Sequence, residues 1–145
     1  MKKTGALRKI DALILLIIAA VIIYWAMSPS PCEVGREADI EVVHFDDRIS
    51  YKTSENGTVN VEIWIKNIGN AVARNITCHM RARNQNGTIL FEDNIPMTSS
   101  ILRPNETCTG YCSFDLMKND TYVYYTVEVM WDTGRTIFSK KTSIL

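Results

Sequence analysis

An all-β sandwich preceded by one N-terminal transmembrane helix is the fold this sequence predicts, and three observations carry the prediction. The stretch Ala12 to Met27 is apolar and carries no charge. Beyond residue 38 the chain repeats short runs of β-branched and aromatic residues at period 2, separated by turn residues. No strong amphipathic helical pattern appears outside the first apolar run.

The basic N-terminus comes first. Lys2, Lys3, Arg8 and Lys9 precede the apolar run, which marks residues 1–11 as cytoplasmic. Residues 12–28 follow as a signal-anchor helix, close to the roughly 20 residues needed to cross a hydrocarbon core of about 30 Å. Ala12 to Met27 is the part expected to meet membrane lipid. Tyr24 and Trp25 close its far end, where amphipathic rings favour the membrane–water boundary. A cleaved signal peptide fits less well: the apolar run is long, and bulky Tyr24 and Trp25 stand where a small-x-small site would be. Pro31 before Cys32 is also unlike a lipoprotein box. Residues 29–37 are a neck, and residues 38–145 an extracytoplasmic domain.

Strands are expected over Asp39–Phe45, Val59–Asn67, Ile76–Arg83, Thr88–Asn94, Thr107–Leu116, Tyr122–Trp131 and Thr136–Ser143. Seven short strands with turn signals between them make a sandwich. Val59, Val61, Ile63 and Ile65 form the inward face of the second, with Asn60, Glu62, Trp64 and Lys66 outside. Ile76, Cys78, Met80 and Ala82 point inward from the third. Cys108, Gly110, Cys112, Phe114 and Leu116 do so from the fifth, and Val123, Tyr125, Val127, Val129 and Trp131 from the sixth. In the first strand Ile40 and Val42 alternate correctly, then Val43 and Phe45 take over, which predicts a bulge.

Charge narrows the function. The 145 residues carry 16 basic and 16 acidic side chains. Four of the basic ones and one acidic one precede Ala12, so the remainder is mildly acidic, with 12 and 15. No basic stripe is present to hold phosphates, which excludes nucleic acid as a partner. Cys32, Cys78, Cys108 and Cys112 all fall on the outer side, where an even number of thiols implies two disulfides. A metal site built from CTGYC and His79 is the weaker reading, because no paired CxxC accompanies it.

Asn56, Asn75, Asn86, Asn105 and Asn119 each head an N-x-T acceptor pattern, half of the ten asparagines in the chain. Each lies at or beside an expected turn, where a bulky glycan is tolerated. Turn chemistry alone would account for any one of them. Five in a segment already placed outside predict N-glycosylation of some.

The run IWIKNIGNAVARNITC, from Ile63 to Cys78, and the later ILRPNETCTGYCSF together resemble the CARDB family, cell-adhesion-related, immunoglobulin-like surface domains of bacteria and archaea. A strand ending in K-N-x-G-N-A-x-A and an L-x-P-N-E-T element carry the resemblance, over about Ala38 to Leu145. In that motif Gly69 is expected to permit a tight reversal after Asn67, with Ala71 and Ala73 letting the chain cross close to the core. The resemblance implies a seven-stranded antiparallel immunoglobulin-like sandwich acting as a surface scaffold, and brings no catalytic residues. In such a topology strands one, three and five start at one end, which favours Cys78–Cys112 across the sheets and Cys32–Cys108 at the neck. Cys78–Cys108 with Cys32–Cys112 stays open. The same topology puts Asn75 and Asn105 at the end nearest the membrane and Asn56, Asn86 and Asn119 at the other.

Catalytic chemistry finds no residues. There is no G-x-S-x-G elbow, HExxH or Gly-rich phosphate loop. His79 reads as solvated beside Arg81 and Arg83. His44 next to Asp46 and Asp47 lacks the oxygen spacing of a calcium loop. No metal, cofactor or small-molecule substrate is therefore expected. Trp64 and Tyr111 are expected on the outer face of neighbouring strands, either as a cross-strand pair or as a patch that docks a partner. Two roles compete: a glycosylated surface protein binding other envelope components, and an accessory subunit stabilising a larger membrane or filament complex. Residues 12–21 offer no polar group for assembly within the bilayer, and Arg8 and Lys9 argue against a pilin-like filament subunit. An adhesion-type domain with dense acceptor sites leans towards an archaeal envelope.

Overall fold

The computed structural model describes Ile14 and residues 16–24, 35–51 and 56–144. Ile14 and residues 16–24 are helical, and their side chains are exposed. Among the described residues no helix is long and apolar enough to cross a membrane. The span expected over 12–28 extends on both sides beyond what is described, as do Trp25, the Ser28–Pro31 stretch and Cys32.

Residues 36–51 and 56–144 form two antiparallel sheets. The strands are β1 (Ile40–Tyr51), β2 (Asn56–Asn67), β3 (Thr77–Asn84), β4 (Ile89–Ile95), β5 (Thr107–Met117), β6 (Tyr122–Trp131) and β7 (Gly134–Ser143). One sheet has the order β1-β2-β5 and the other β4-β3-β6-β7. The expected inward residues of β2, β3, β5 and β6 do line the space between the sheets. Val59, Ile63, Ile65, Met80, Ala82, Val123, Val127 and Val129 are completely enclosed.

β1 departs from expectation in two ways. The register shifts between Val42 and His44, so the bulge is present, but Val43 is the displaced residue and is exposed instead of packing inward. The strand also runs to Tyr51, six residues past the expected end. Apolar alternation failed there because the inward position after Phe45 is a carboxylate. Asp47 accepts hydrogen bonds from Tyr125 Oη (3.0 Å) and Lys140 Nζ (2.7 Å), so its buried charge is paired.

Asn67 organises the end of the sandwich at which β1 begins. Its side chain is wholly buried. Its Nδ2 donates to the carbonyls of Ala71 (2.7 Å) and Leu102 (3.0 Å), and its Oδ1 accepts from the amides of Gly69 and Asp39. Residues 37–39 close over the turn through Ile68 N to Asp39 O and Asn70 N to Glu37 O. The reason for glycine at 69 is therefore corrected. Its φ is not positive; a Cβ there would collide with the Glu37 carbonyl oxygen and the Asp39 amide. Ala73 is fully buried and bridges Leu102, as a close crossing requires. At the opposite end Asp120 is buried, accepting from Asn84 Nδ2 and the Met117 amide.

Candidate interaction surface

The outer face of the β1-β2-β5 sheet is laid out by register. Successive cross-strand rows read His44–Trp64–Thr109, Asp46–Glu62–Tyr111 and Arg48–Asn60–Ser113. Trp64 and Tyr111, expected as neighbours, sit in adjacent rows and meet through Glu62. Trp64 Nε1 donates to Glu62 Oε1 at 2.5 Å, and Tyr111 Oη donates to the same oxygen at 3.1 Å. His44 tilts against the Trp64 ring at 5.2 Å. Both aromatics remain accessible, at 41% for Trp64 and 56% for Tyr111. The sequence marked the two rings as outward-facing; it did not mark the carboxylate between them, whose role depends on pairing with a residue 49 positions away.

Beside this cluster Arg48 Nε donates to Asp46 Oδ2 at 2.7 Å, and the carboxylate holds the guanidinium more firmly protonated. A shallow groove of about 370 Å³ opens there. It forms because Tyr111 stands tall while Asn60 and Ser113 in the next row are short. His44, Asp46 and Asp47 do not converge: His44 is held by Trp64, Asp46 by Arg48, and Asp47 faces the other sheet. Among the described residues no group of His, Cys, Asp and Glu is arranged to hold a metal ion. His79 lies on the outer face of the other sheet, opposite Asn94 and Glu128, and Arg81 there pairs with Glu92.

Cys78, Cys108 and Cys112 are free thiols in this structure. All three face the inter-sheet space, with Cys78 and Cys108 near the end where β1 begins. Burial pushes the Cys78 thiol up to about 12, and the nearby Cys112 and Cys108 add to the effect. Burial likewise raises Cys112 to about 11. Gly110, between the two β5 cysteines, is packed under the chain leaving β4, where a Cβ would strike Met97 and Ile95.

The five acceptor asparagines are all exposed. Asn75 and Asn105 flank the end where β1 begins, both with positive φ (54° and 68°). Asn56, Asn86 and Asn119 cluster at the other end, where Gln85 Nε2 donates to the Asn119 carbonyl. The asparagines whose side chains tie the fold together, Asn67, Asn70 and Asn84, head no acceptor pattern.

No protein-family model and no curated protein matches the chain. Solved structures share its fold. A β-glucuronidase from Parabacteroides merdae superposes on 72% of this chain with a TM-score of 0.56 at 8% identity. One from Bacteroides uniformis covers 68% with a TM-score of 0.52 at 13% identity. A Bordetella pertussis protein designated ApaA covers 74%, with a TM-score of 0.56 and 14% identity, and 95% of its own length is matched. The chain spans only 11% to 16% of the first glycoside hydrolases it matches. At these identities the likeness is one of fold.

Proposed function

We propose that the chain is a non-enzymatic, membrane-anchored and N-glycosylated cell-surface protein of CARDB-like, immunoglobulin-like architecture. Its β-sandwich docks other envelope proteins through the outer face of β1-β2-β5. The observation that carries this reading is the distribution of asparagines. Every acceptor asparagine is exposed at one of the two ends, so glycans there leave both sheet faces uncovered. One of those faces presents Trp64 and Tyr111 around a shared carboxylate, the kind of aromatic anchor that protein interfaces use. The charge-free run at 12–27 after a basic terminus supports the anchor. The likeness to short portions of glycoside hydrolases supports a supporting module more than a catalytic one.

Crosslinking in intact cells tests the assignment. The wild-type chain is expected to capture discrete envelope partners, and Trp64→Ala to lose some of them while the protein level holds. An identical partner profile in the variant removes this face from consideration.

A further inference from the structure

The groove beside Tyr111 has a chemistry of its own. Its wall is one exposed phenol ring, its polar lining comes from Asp46, Arg48, Asn60, Glu62 and Ser113, and Val61 and Cys112 complete the floor. Its polar groups are two carboxylates, a guanidinium, an amide and a hydroxyl, a mixture of hydrogen-bond acceptors and donors from two adjacent cross-strand rows. Among the described residues Glu62 Oε2 accepts no hydrogen bond, since both protein donors go to Oε1. The Arg48 side chain is 75% exposed, so it has donors to spare after pairing with Asp46.

Several ligand classes fail on this lining. Anions meet two carboxylates and only one guanidinium, already paired. An extended peptide adds to a sheet at an edge, here β1 or β5, and not on the face where this groove opens over the central strand β2. A metal ion lacks a convergent ligand set. A ligand with many hydroxyls and one apolar ring face fits: its C–H face stacks on Tyr111 while its hydroxyls bridge Glu62, Asn60 and Ser113. The volume of about 370 Å³ lies in the range of small-ligand sites, about 300–1,000 Å³.

The geometry points to a neutral saccharide unit as the ligand of this groove, with Tyr111 as stacking platform and Glu62 as principal acceptor. Trp64 is a positioning residue, holding the Glu62 carboxylate through Oε1. This rests on the surface reading above and names the chemistry of one partner: a sugar carried by an envelope glycan, or by the N-glycans of a neighbouring copy.

The test uses the full chain in lipid nanodiscs over an array of immobilised neutral oligosaccharides and uronic-acid-bearing ones. Retention by a neutral series is expected. Glu62→Gln and Tyr111→Ala should each weaken it about tenfold, the loss of one charge-assisted hydrogen bond or one stacking contact. Ser113→Trp, which fills the groove from an exposed position, should abolish retention with the melting temperature unchanged. Absence of neutral retention, or retention undiminished in Ser113→Trp, overturns the proposal. If neutral retention fails while Trp64-dependent crosslinks persist, the docking face stands and the saccharide falls. Self-association that disappears when the five acceptor threonines become valine identifies a neighbouring copy's glycans as the source. Self-association unchanged by those substitutions, with the array still bound, identifies an envelope glycan.

Discussion

Asn67 and Gly69 fail in different ways if replaced, and the contrast exposes what the turn after β2 needs. Asn67→Ala would leave the buried Leu102 carbonyl, the half-buried Ala71 carbonyl and the Gly69 and Asp39 amides without their side-chain partner. Buried polar groups left bare cost about 1–3 kcal/mol each, moderated by relaxation, so a loss on the order of 3 kcal/mol is expected in urea unfolding. Asn67→Asp keeps the acceptor but sets a buried carboxylate oxygen against the Ala71 and Leu102 carbonyls, and should destabilise at least as much as Asn67→Ala. Gly69→Ala adds a methyl where Glu37 and Asp39 pass, so it should destabilise without any strain in φ. If Gly69→Ala unfolds at the wild-type urea concentration, the close approach is not a constraint. The left-handed asparagines give a second residue-level test. Asn105→Gln and Thr107→Val both remove an acceptor site, but only the first puts an unsuited side chain at φ 68°. Asn105→Gln should cost about 1 kcal/mol more than Thr107→Val.

At the scale of the strand, β3 and β5 carry the thiols, and pH reports their state. Reduced Cys78 and Cys112 have folded values near 12 and 11, above the ordinary 9.0 that they regain on unfolding. Their contribution is therefore intact below about pH 9 and is lost as pH rises towards 11 and 12. Each thiol removes up to about 1.4 kcal/mol per pH unit in that window. The urea midpoint of the reduced protein should fall between pH 8.5 and 10, before Tyr125, also raised by burial, begins to matter. Protein isolated without reductant should show no such fall and no alkylatable thiol when unfolded, if the two disulfides expected of an outer-side domain are formed. Four alkylatable cysteines in the unreduced chain would defeat the disulfide expectation. The strands themselves were readable because a half-buried sheet imposes period 2: Val59 to Ile65 could have no other face inward. The second half of β1 was not, since the inward Asp47 is legible only with Tyr125 and Lys140, 78 and 93 residues away. Glu62 escaped notice for the same reason: alternation says which way a residue points, not which strand will stand beside it.

For the whole molecule the question is whether chemistry at the two ends and on the open face belongs to one surface protein. Glycans at Asn75 and Asn105 would flank one end, and those at Asn56, Asn86 and Asn119 the other. The polypeptide mass is 16.5 kDa, so occupied sites must appear as discrete additions to the intact mass. Chain purified from its native membrane should run heavier than this, and each Thr→Val substitution at an occupied site should remove one addition. The sheet faces predict something further. Removing all five sites should leave partner capture through Trp64 unchanged, because none of the five lies in the rows around Glu62. If the unglycosylated chain still sediments with membranes and keeps its crosslinks, glycans protect the ends and the face does the binding. If its crosslinks vanish while it stays folded and membrane-bound, the glycans themselves are the recognised element. The assignment of docking to the outer face of β1-β2-β5 is then wrong, unless the crosslinks lost are only those between copies of this chain, whose glycans the groove would hold.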